Sequence, residues 1–361
     1  MDRRVSRREF LRDLTLAAGA MGLAPAWPGS ATGQGLRKIK YTLPWVPHGG
    51  YAFSFVARHE GFWSKRGLDV QVDRGFGSGD ACKNVAVGRY EFGLADFGTM
   101  IASVARDLDL ICLAMVSHKG QMGLLSLKKT GIIKPKDLEG KRYGTTAGSA
   151  DFAVWPAFVR ATGIDAGKVK VVFMGPELRH KALIEGQVDA IGAFYGSDAP
   201  TFLANRIDYD LLLYANYGLE MYSHGIITRS QLVRDDPKLC QEFVDGVLEG
   251  LAFSYLHPER TVEIHLDMVR EYKGGETNRE VVRHGILIGT AMGLADYVEE
   301  HGLGWMDRRL VESTHDKMAR YMSLPKVPPV DGLYTNRFAD RVKLSRAQWR
   351  QVRESVKAYA L

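Results

Sequence analysis

The sequence predicts an α/β fold of two lobes, each a mainly parallel sheet with helices on both faces, joined by two crossings and followed by a helical C-terminal tail. Three observations carry this. One order of strands and helices is written twice between residues 37 and 228. Within each copy, short apolar runs alternate with helical ones, the pattern of strand–helix–strand units whose strands lie parallel. Residues 231–361 show helical spacing alone, as at Leu239, Phe243, Val247, Leu251 and Tyr255.

The first copy opens with an alternating strand at 39–45 and a helix at 52–65 that stops before Gly67. A strand at 70–73, a glycine loop, a helix reaching Gly88, a strand at 92–95 and a helix at 100–105 follow. Strands at 108–116 and 123–128 close it. The second copy repeats the order: strand 141–145, helix 152–161, strand 169–173, a helix to Gly186, strand 188–193, a helix from Ala199, and strands 209–214 and 225–228. Gly88-Arg89-Tyr90-Glu91 matches Gly186-Gln187-Val188-Asp189, and Gly98 matches Gly196. In the tail a Pro-rich break at 325–329 precedes a last helix, 345–359, with Ser345 as its cap. The expected lobes are 37–127 with 229–361 (lobe I) and 128–228 (lobe II). The chain then crosses near 127–129 and 224–228, a two-stranded hinge, with the tail mostly on lobe I.

Composition narrows the function. The 361 residues are 45% hydrophobic and 25% charged, which is ordinary for a globular chain, and no uncharged apolar run is long enough to cross a membrane. The net charge of +6 is spread thinly, with no basic block to track phosphates, so nucleic acid is not an expected partner. Cys82, Cys112 and Cys240 are too few and too scattered for a disulfide framework or a zinc site, and no cofactor is expected.

Residues 1–26 read as an address. Ser6-Arg7-Arg8-Glu9-Phe10-Leu11 is a twin-arginine pattern, an uncharged stretch runs from Leu14 to Ala24, and Ala24-Pro25-Ala26 is a small-x-small cleavage signal. Such a segment, followed by a linker at 27–36, is handled by the twin-arginine export machinery, which delivers a folded cargo to the periplasm.

Ligands of such sheets bind beyond the carboxyl ends of the strands, and two facing lobes make a cleft there. Trp45, His48 and Tyr51 follow the first strand, where rings can stack on a flat ligand and His48 can hydrogen-bond it. Phe76, Gly77 and Ser78 sit in a glycine loop before a helix, which offers free backbone N–H groups or is a plain tight turn. Asp96 and Phe97 in one copy, and Phe194, Tyr195 and Asp198 in the other, occupy equivalent loops; their acids either accept from a ligand's amino groups or cap helices. Thr145 and Ser149 stand at the first strand–helix junction of lobe II, and Glu177 after its second strand.

Two exported α/β lobes joined by two crossings resemble a type II-like periplasmic binding protein of an ABC transporter. Tyr41-Thr42-Leu43-Pro44-Trp45, Pro47-His48-Gly49-Gly50-Tyr51 and Gly67-Leu68-Asp69-Val70 resemble the NMT1/THI5-like family, which includes thiamine-precursor, nitrate, sulfonate and taurine receptors. Ile133-Lys134-Pro135-Lys136-Asp137-Leu138-Glu139-Gly140 and Leu333-Tyr334-Thr335-Asn336-Arg337-Phe338 resemble its later motifs. The resemblance implies a solute receptor that works with ABC permease and ATPase subunits and does no chemistry on its ligand. Its pyrimidine-binding members often carry Asn near His48 and Glu near Asp198, and the cysteine-rich word of the fungal pyrimidine-synthesising members is absent. The ring-rich lip favours a small heteroaromatic, pyrimidine-like solute. The alternatives are a nitrate or sulfonate receptor, a sensor subunit presenting its ligand, and a lyase or hydrolase using Cys82 with His48 as base.

Overall fold

The computed structural model describes residues 35–360. The export signal expected at 1–26, and the linker up to residue 34, lie outside those residues. Lobe I contains β1 (Arg37–Thr42), α1 (Ala52–His59), β2 (Leu68–Asp73), α2 (Ser78–Ala86), β3 (Phe92–Asp96), α3 (Phe97–Val104) and β4 (Ile111–Met115). Lobe II contains β5 (Met122–Leu127), β6 (Arg142–Thr145), α4 (Ala150–Thr162), β7 (Lys170–Phe173), α5 (Arg179–Ile184), β8 (Ala190–Phe194), α6 (Tyr195–Ala204) and β9 (Tyr209–Leu213). The chain returns to lobe I with β10 (His224–Thr228) and ends in α7 (Ser230–Asp235), α8 (Pro237–Leu256), α9 (Pro258–Met268), α10 (Glu276–Gly293), α11 (Asp296–His301), α12 (Arg308–Tyr321) and α13 (Arg346–Ser355).

The two sheets have one plan, β2-β1-β3-β10-β4 and β7-β6-β8-β5-β9. β1 pairs in parallel with β2 and β3, and β6 with β7 and β8. The fourth strand of each sheet is antiparallel to both neighbours, so the sheets are mixed. That fourth strand comes from the other copy of the repeat. β5 closes the first copy yet pairs in the second sheet, and β10 closes the second copy yet pairs in the first. The lobe boundary expected at 127/128 therefore moves to before Met122, and β10 joins lobe I. The crossings are Val116–Gln121 and Gly218–Ser223 rather than 127–129 and 224–228. Both strands are buried along their whole length and so read the same whichever sheet receives them, and sequence pattern alone did not distinguish the two. The crossings run side by side: Val116 and Ser117 donate backbone N–H groups to the His224 carbonyl, and Ser223 to that of Ser117.

The core of lobe I forms where α8 covers the sheet. Tyr41, Trp63, Phe92 and Phe243 are buried together, with Phe92 and Phe243 stacked at 3.8 Å between ring centroids. Rings packed this closely contribute beyond the apolar area they bury. Most of the tail packs on lobe I, yet α10 reaches lobe II as well, because it has two apolar stripes. Val282 and Ile286 pack with Ala52 and Val262, while Ile288, Ala291 and Met292 pack with Ala199 of α6 in lobe II. α12 likewise lies against both α3 and α4. Helical periodicity marks a buried stripe but not the lobe that buries it.

Candidate functional site

β1 delivers the first functional residues. Its carboxyl end runs into Pro44 and Trp45 and then a tight turn, Gly49–Tyr51, held because His48 Nδ1 accepts from the Gly50 N–H at 3.0 Å. The turn sits against α10 so closely that a Cβ on Gly49 would lie 2.3 Å from the Val282 carbonyl. His48 and Tyr51 thus face the seam between the lobes, their rings 4.0 Å apart. His224, at the start of β10, meets Tyr51 edge-on at 5.5 Å, with its Nε2 3.3 Å from the Tyr51 hydroxyl. Phe194, from the end of β8 in lobe II, lies 5.0 Å from the His224 ring.

These four rings wall a cavity on one side. Ser117 and Gln121 from the first crossing, Ser197 from α6, and Tyr255, Ile286 and Thr290 from the tail complete it. A second cavity shares Tyr51, Phe194, Ser197 and His224 with the first. Its remaining lining includes Trp45, Gly77 and Ser78 from lobe I, and Ser149, Asp151 and Arg179 from lobe II. The starts of α2 and α4 meet across it, and neither has a side-chain cap.

Electrically the first cavity is neutral. Burial pushes His48 and His224 down to about 3, so both rings are uncharged at neutral pH. Because His48 Nδ1 accepts, its proton sits on Nε2, which is buried and has no partner among the described residues. The Tyr255 hydroxyl is in the same condition. The cavity therefore offers aromatic faces and unused donors, with no free charge.

Of the sequence-predicted residues, Trp45, His48, Tyr51, Gly77, Ser78, Ser149 and Phe194 come together around the two cavities. The other seven do not. Phe76 is 52% exposed at the outer rim, where Arg74 sits over its ring. Glu177 is on the same rim, ion-paired with Arg74 at 2.7 Å. Phe97 is buried edge-on to Tyr222. Thr145 lies beneath the cavity wall, donating to Asp151 at 2.8 Å. Tyr195 packs with the α10 cluster. Asp96 caps α3, accepting from the Thr99 N–H at 2.8 Å, and burial pushes its carboxyl up to about 7.

Asp198 is not a reader of ligand amino groups, because its carboxylate is already filled. It accepts from Arg179 at 2.9 Å, His180 at 2.8 Å, the Ser197 hydroxyl at 2.6 Å and the Phe194 N–H at 2.8 Å. Burial alone would raise its pKa, but Arg179 and His180 hold it below the ordinary carboxylate range. Removing one partner of such a pair strands a buried charge. Asp198→Ala is expected to lower unfolding stability by about 3–5 kcal/mol, read as the urea midpoint; an unchanged midpoint would show that Arg179 is stable without it.

Cys82 cannot serve as a nucleophile as it stands. It is fully buried inside α2, lines neither cavity, and burial pushes its thiol up to about 12. Sequence reasoning missed Arg179, His224 and the tail's contribution. One signal was present: the register that matches Gly88 with Gly186 sets Arg179 opposite Ala81, a charge where the first copy has a buried methyl.

Comparisons with known proteins agree with this architecture. The family model described as NMT1/THI5 like matches residues 49–261. The formylaminopyrimidine-binding protein of Halalkalibacterium halodurans is 22% identical over 64% of this chain and 71% of its own. The riboflavin-binding protein RibY of Chloroflexus aurantiacus is 22% identical over 90% of this chain and 91% of its own. Among solved structures, the alkanesulfonate-binding protein SsuA of Xanthomonas axonopodis pv. citri bound to MOPS superposes with a TM-score of 0.60 at 13% identity, covering 84% of this chain and 99% of that one. At that identity the likeness concerns the fold.

Proposed function

The chain belongs to the NMT1/THI5-like family, and on that premise we propose that it captures a small heteroaromatic, pyrimidine-like solute between its lobes and hands it to an ABC permease without changing it. One observation carries the reading: the cavity at the seam is walled by His48, Tyr51, His224 and Phe194, rings from both lobes, and holds no free charge. Flat rings are bound by stacking on such walls, with a few polar groups fixing their orientation. Relatives named for binding a pyrimidine and a flavin support the same ligand class. The buried, high-pKa Cys82 argues against catalysis.

The twin-arginine pattern at Arg7-Arg8 and the Ala24-Pro25-Ala26 signal support export to the periplasm through the twin-arginine machinery. The importer's permease and ATPase subunits are then the partners.

The test is a thermal-shift panel of pyrimidines, flavin-type rings, aromatic acids, alkanesulfonates and nitrate. A ligand present at a hundred times its Kd stabilises the folded state by about 2.7 kcal/mol, enough to move the melting temperature by several degrees. Ring compounds are expected to give the largest shifts; a shift confined to sulfonates or nitrate would reject the proposal.

A further inference from the structure

The second cavity contains a charged side chain with an unused donor. Arg179 stands at the start of α5 in lobe II with 3% of its side chain exposed. One terminal nitrogen donates to the Gly192 carbonyl and the other to Asp198 Oδ1 at 2.9 Å. Its Nε is buried and has no partner among the described residues. The guanidinium carbon lies over the Trp45 ring, 4.7 Å from the centroid. Trp45 belongs to lobe I, so the two side chains meet only while the lobes are together. A guanidinium N–H buried without an acceptor is costly, and an acceptor supplied by a ligand relieves that cost.

The surrounding charges decide what kind of acceptor fits. Asp198 already neutralises Arg179. His224 is uncharged. Asp151, also on the wall and 1% exposed, accepts from the Tyr143 hydroxyl at 2.9 Å and the Thr145 hydroxyl at 2.8 Å. The starts of α2 and α4 contribute partial positive charge that roughly offsets Asp151. No full positive charge is left over among these groups to balance an incoming anion.

We propose that Arg179 is a specificity-determining residue that donates from Nε to a neutral acceptor on the solute, a carbonyl oxygen or ring nitrogen, while Asp151 beside it rejects ligands carrying a carboxylate, sulfonate or nitrate at that point. This rests on the ring-solute reading given under Proposed function. It assigns the two cavities different parts of one ligand. The aromatic compartment stacks the ring, and the Arg179 compartment reads a polar edge.

Calorimetric titration with three probes tests it: pyrimidine-5-carboxamide, pyrimidine-5-carboxylate and 5-methylpyrimidine. The wild-type protein is expected to bind the carboxamide at least about tenfold more tightly than the carboxylate. Arg179→Lys keeps a cation for Asp198 but loses the planar Nε–H. It should weaken the carboxamide about tenfold and 5-methylpyrimidine less than twofold, whereas a merely structural role would weaken both alike. Asp151→Asn should shrink the amide-over-acid preference about tenfold, and it bears on the proposal even if the Arg179 variant fails to fold. The proposal is overturned if the wild type binds the carboxylate as well as the carboxamide, or if Arg179→Lys weakens both neutral probes equally. If all three rings fail to bind while an alkanesulfonate or nitrate does, the ring-solute reading falls too; if the rings bind with the acid preferred, only the present proposal falls.

Discussion

Gly77→Ala is expected to hold the lobes apart and cost about two orders of magnitude in ligand affinity. A Cβ at residue 77 would lie 2.3 Å from the Gly148 carbonyl oxygen and 2.6 Å from its carbon, both backbone atoms of the opposite lobe. The adjoining Gly79 N–H donates to that same carbonyl at 3.3 Å, so the clash falls where the lobes touch. Gly77 also has φ +140°, a conformation that L side chains rarely adopt. An added methyl leaves the aromatic wall of lobe I intact but keeps Phe194, Ser197 and Arg179 from reaching the ligand. An open state favoured by about 2.7 kcal/mol reduces apparent affinity about hundredfold. Small-angle scattering checks this. The wild type should contract when saturated with its best ligand, and the variant should keep the larger radius at equal occupancy. Contraction of the variant to the wild-type radius would refute it.

The sequence made the architecture legible because two periodicities alternate cleanly and the alternation occurs twice. What stayed hidden was which sheet took the closing strands. Met122–Leu127 and His224–Thr228 are buried throughout, and a wholly buried strand carries no facial pattern to identify its partner. The same limit applies to α10, whose two apolar stripes serve different lobes. Local pattern specifies an element; the pairing of elements depends on contacts far apart in the chain.

At the site, the residues just past β1 were legible because strand ends in such sheets face the ligand. Trp45, His48 and Tyr51 follow from that rule alone. Asp198 was misread for a physical reason. An acid in the first turn of a helix looks the same whether it faces the cleft or a buried arginine, and its partner Arg179 lies 19 residues earlier on another helix. The glycine loop was ambiguous between a ligand cradle and a turn, and close approach explains two of its glycines. A Cβ on Gly75 would meet the Leu43 carbonyl at 2.1 Å, and one on Gly77 would meet Gly148. Tyr255 and Thr290 reach the cavity only through the packing of the tail, which no local motif announces.

Acid is expected to begin destabilising this protein near pH 6, before its ordinary carboxylates titrate. His48, His118, His224 and His265 are all buried, and burial pushes each from 6.5 down to about 3. The sign follows from linkage. Below pH 6.5 the unfolded chain takes up a proton at each of these histidines while the folded chain does not, so stability is full above 6.5 and is lost as the pH falls toward 3. Asp96 opposes one of them. Burial raises its carboxyl from 3.8 to about 7, so between those values the folded state holds one proton that the unfolded state lacks. The net difference is about three protons, a slope of roughly 4 kcal/mol per pH unit between pH 6 and 4. A fold worth about 5–15 kcal/mol is exhausted within about one to four units of such a slope, and one worth about 10 kcal/mol within two to three. The Asp198 pair adds its own loss only below pH 4, because its depressed carboxyl keeps its contribution above the ordinary carboxylate value. The melting temperature should be steady above pH 7, fall steeply below pH 6 and vanish near pH 4. His265 lies edge-on against Phe55 at 5.3 Å, and neither ring nitrogen has a hydrogen-bond partner among the described residues, so His265→Phe should remove one proton from the slope. A melting temperature that stays level from pH 7 to 4 would show that these histidines are protonated in the folded state.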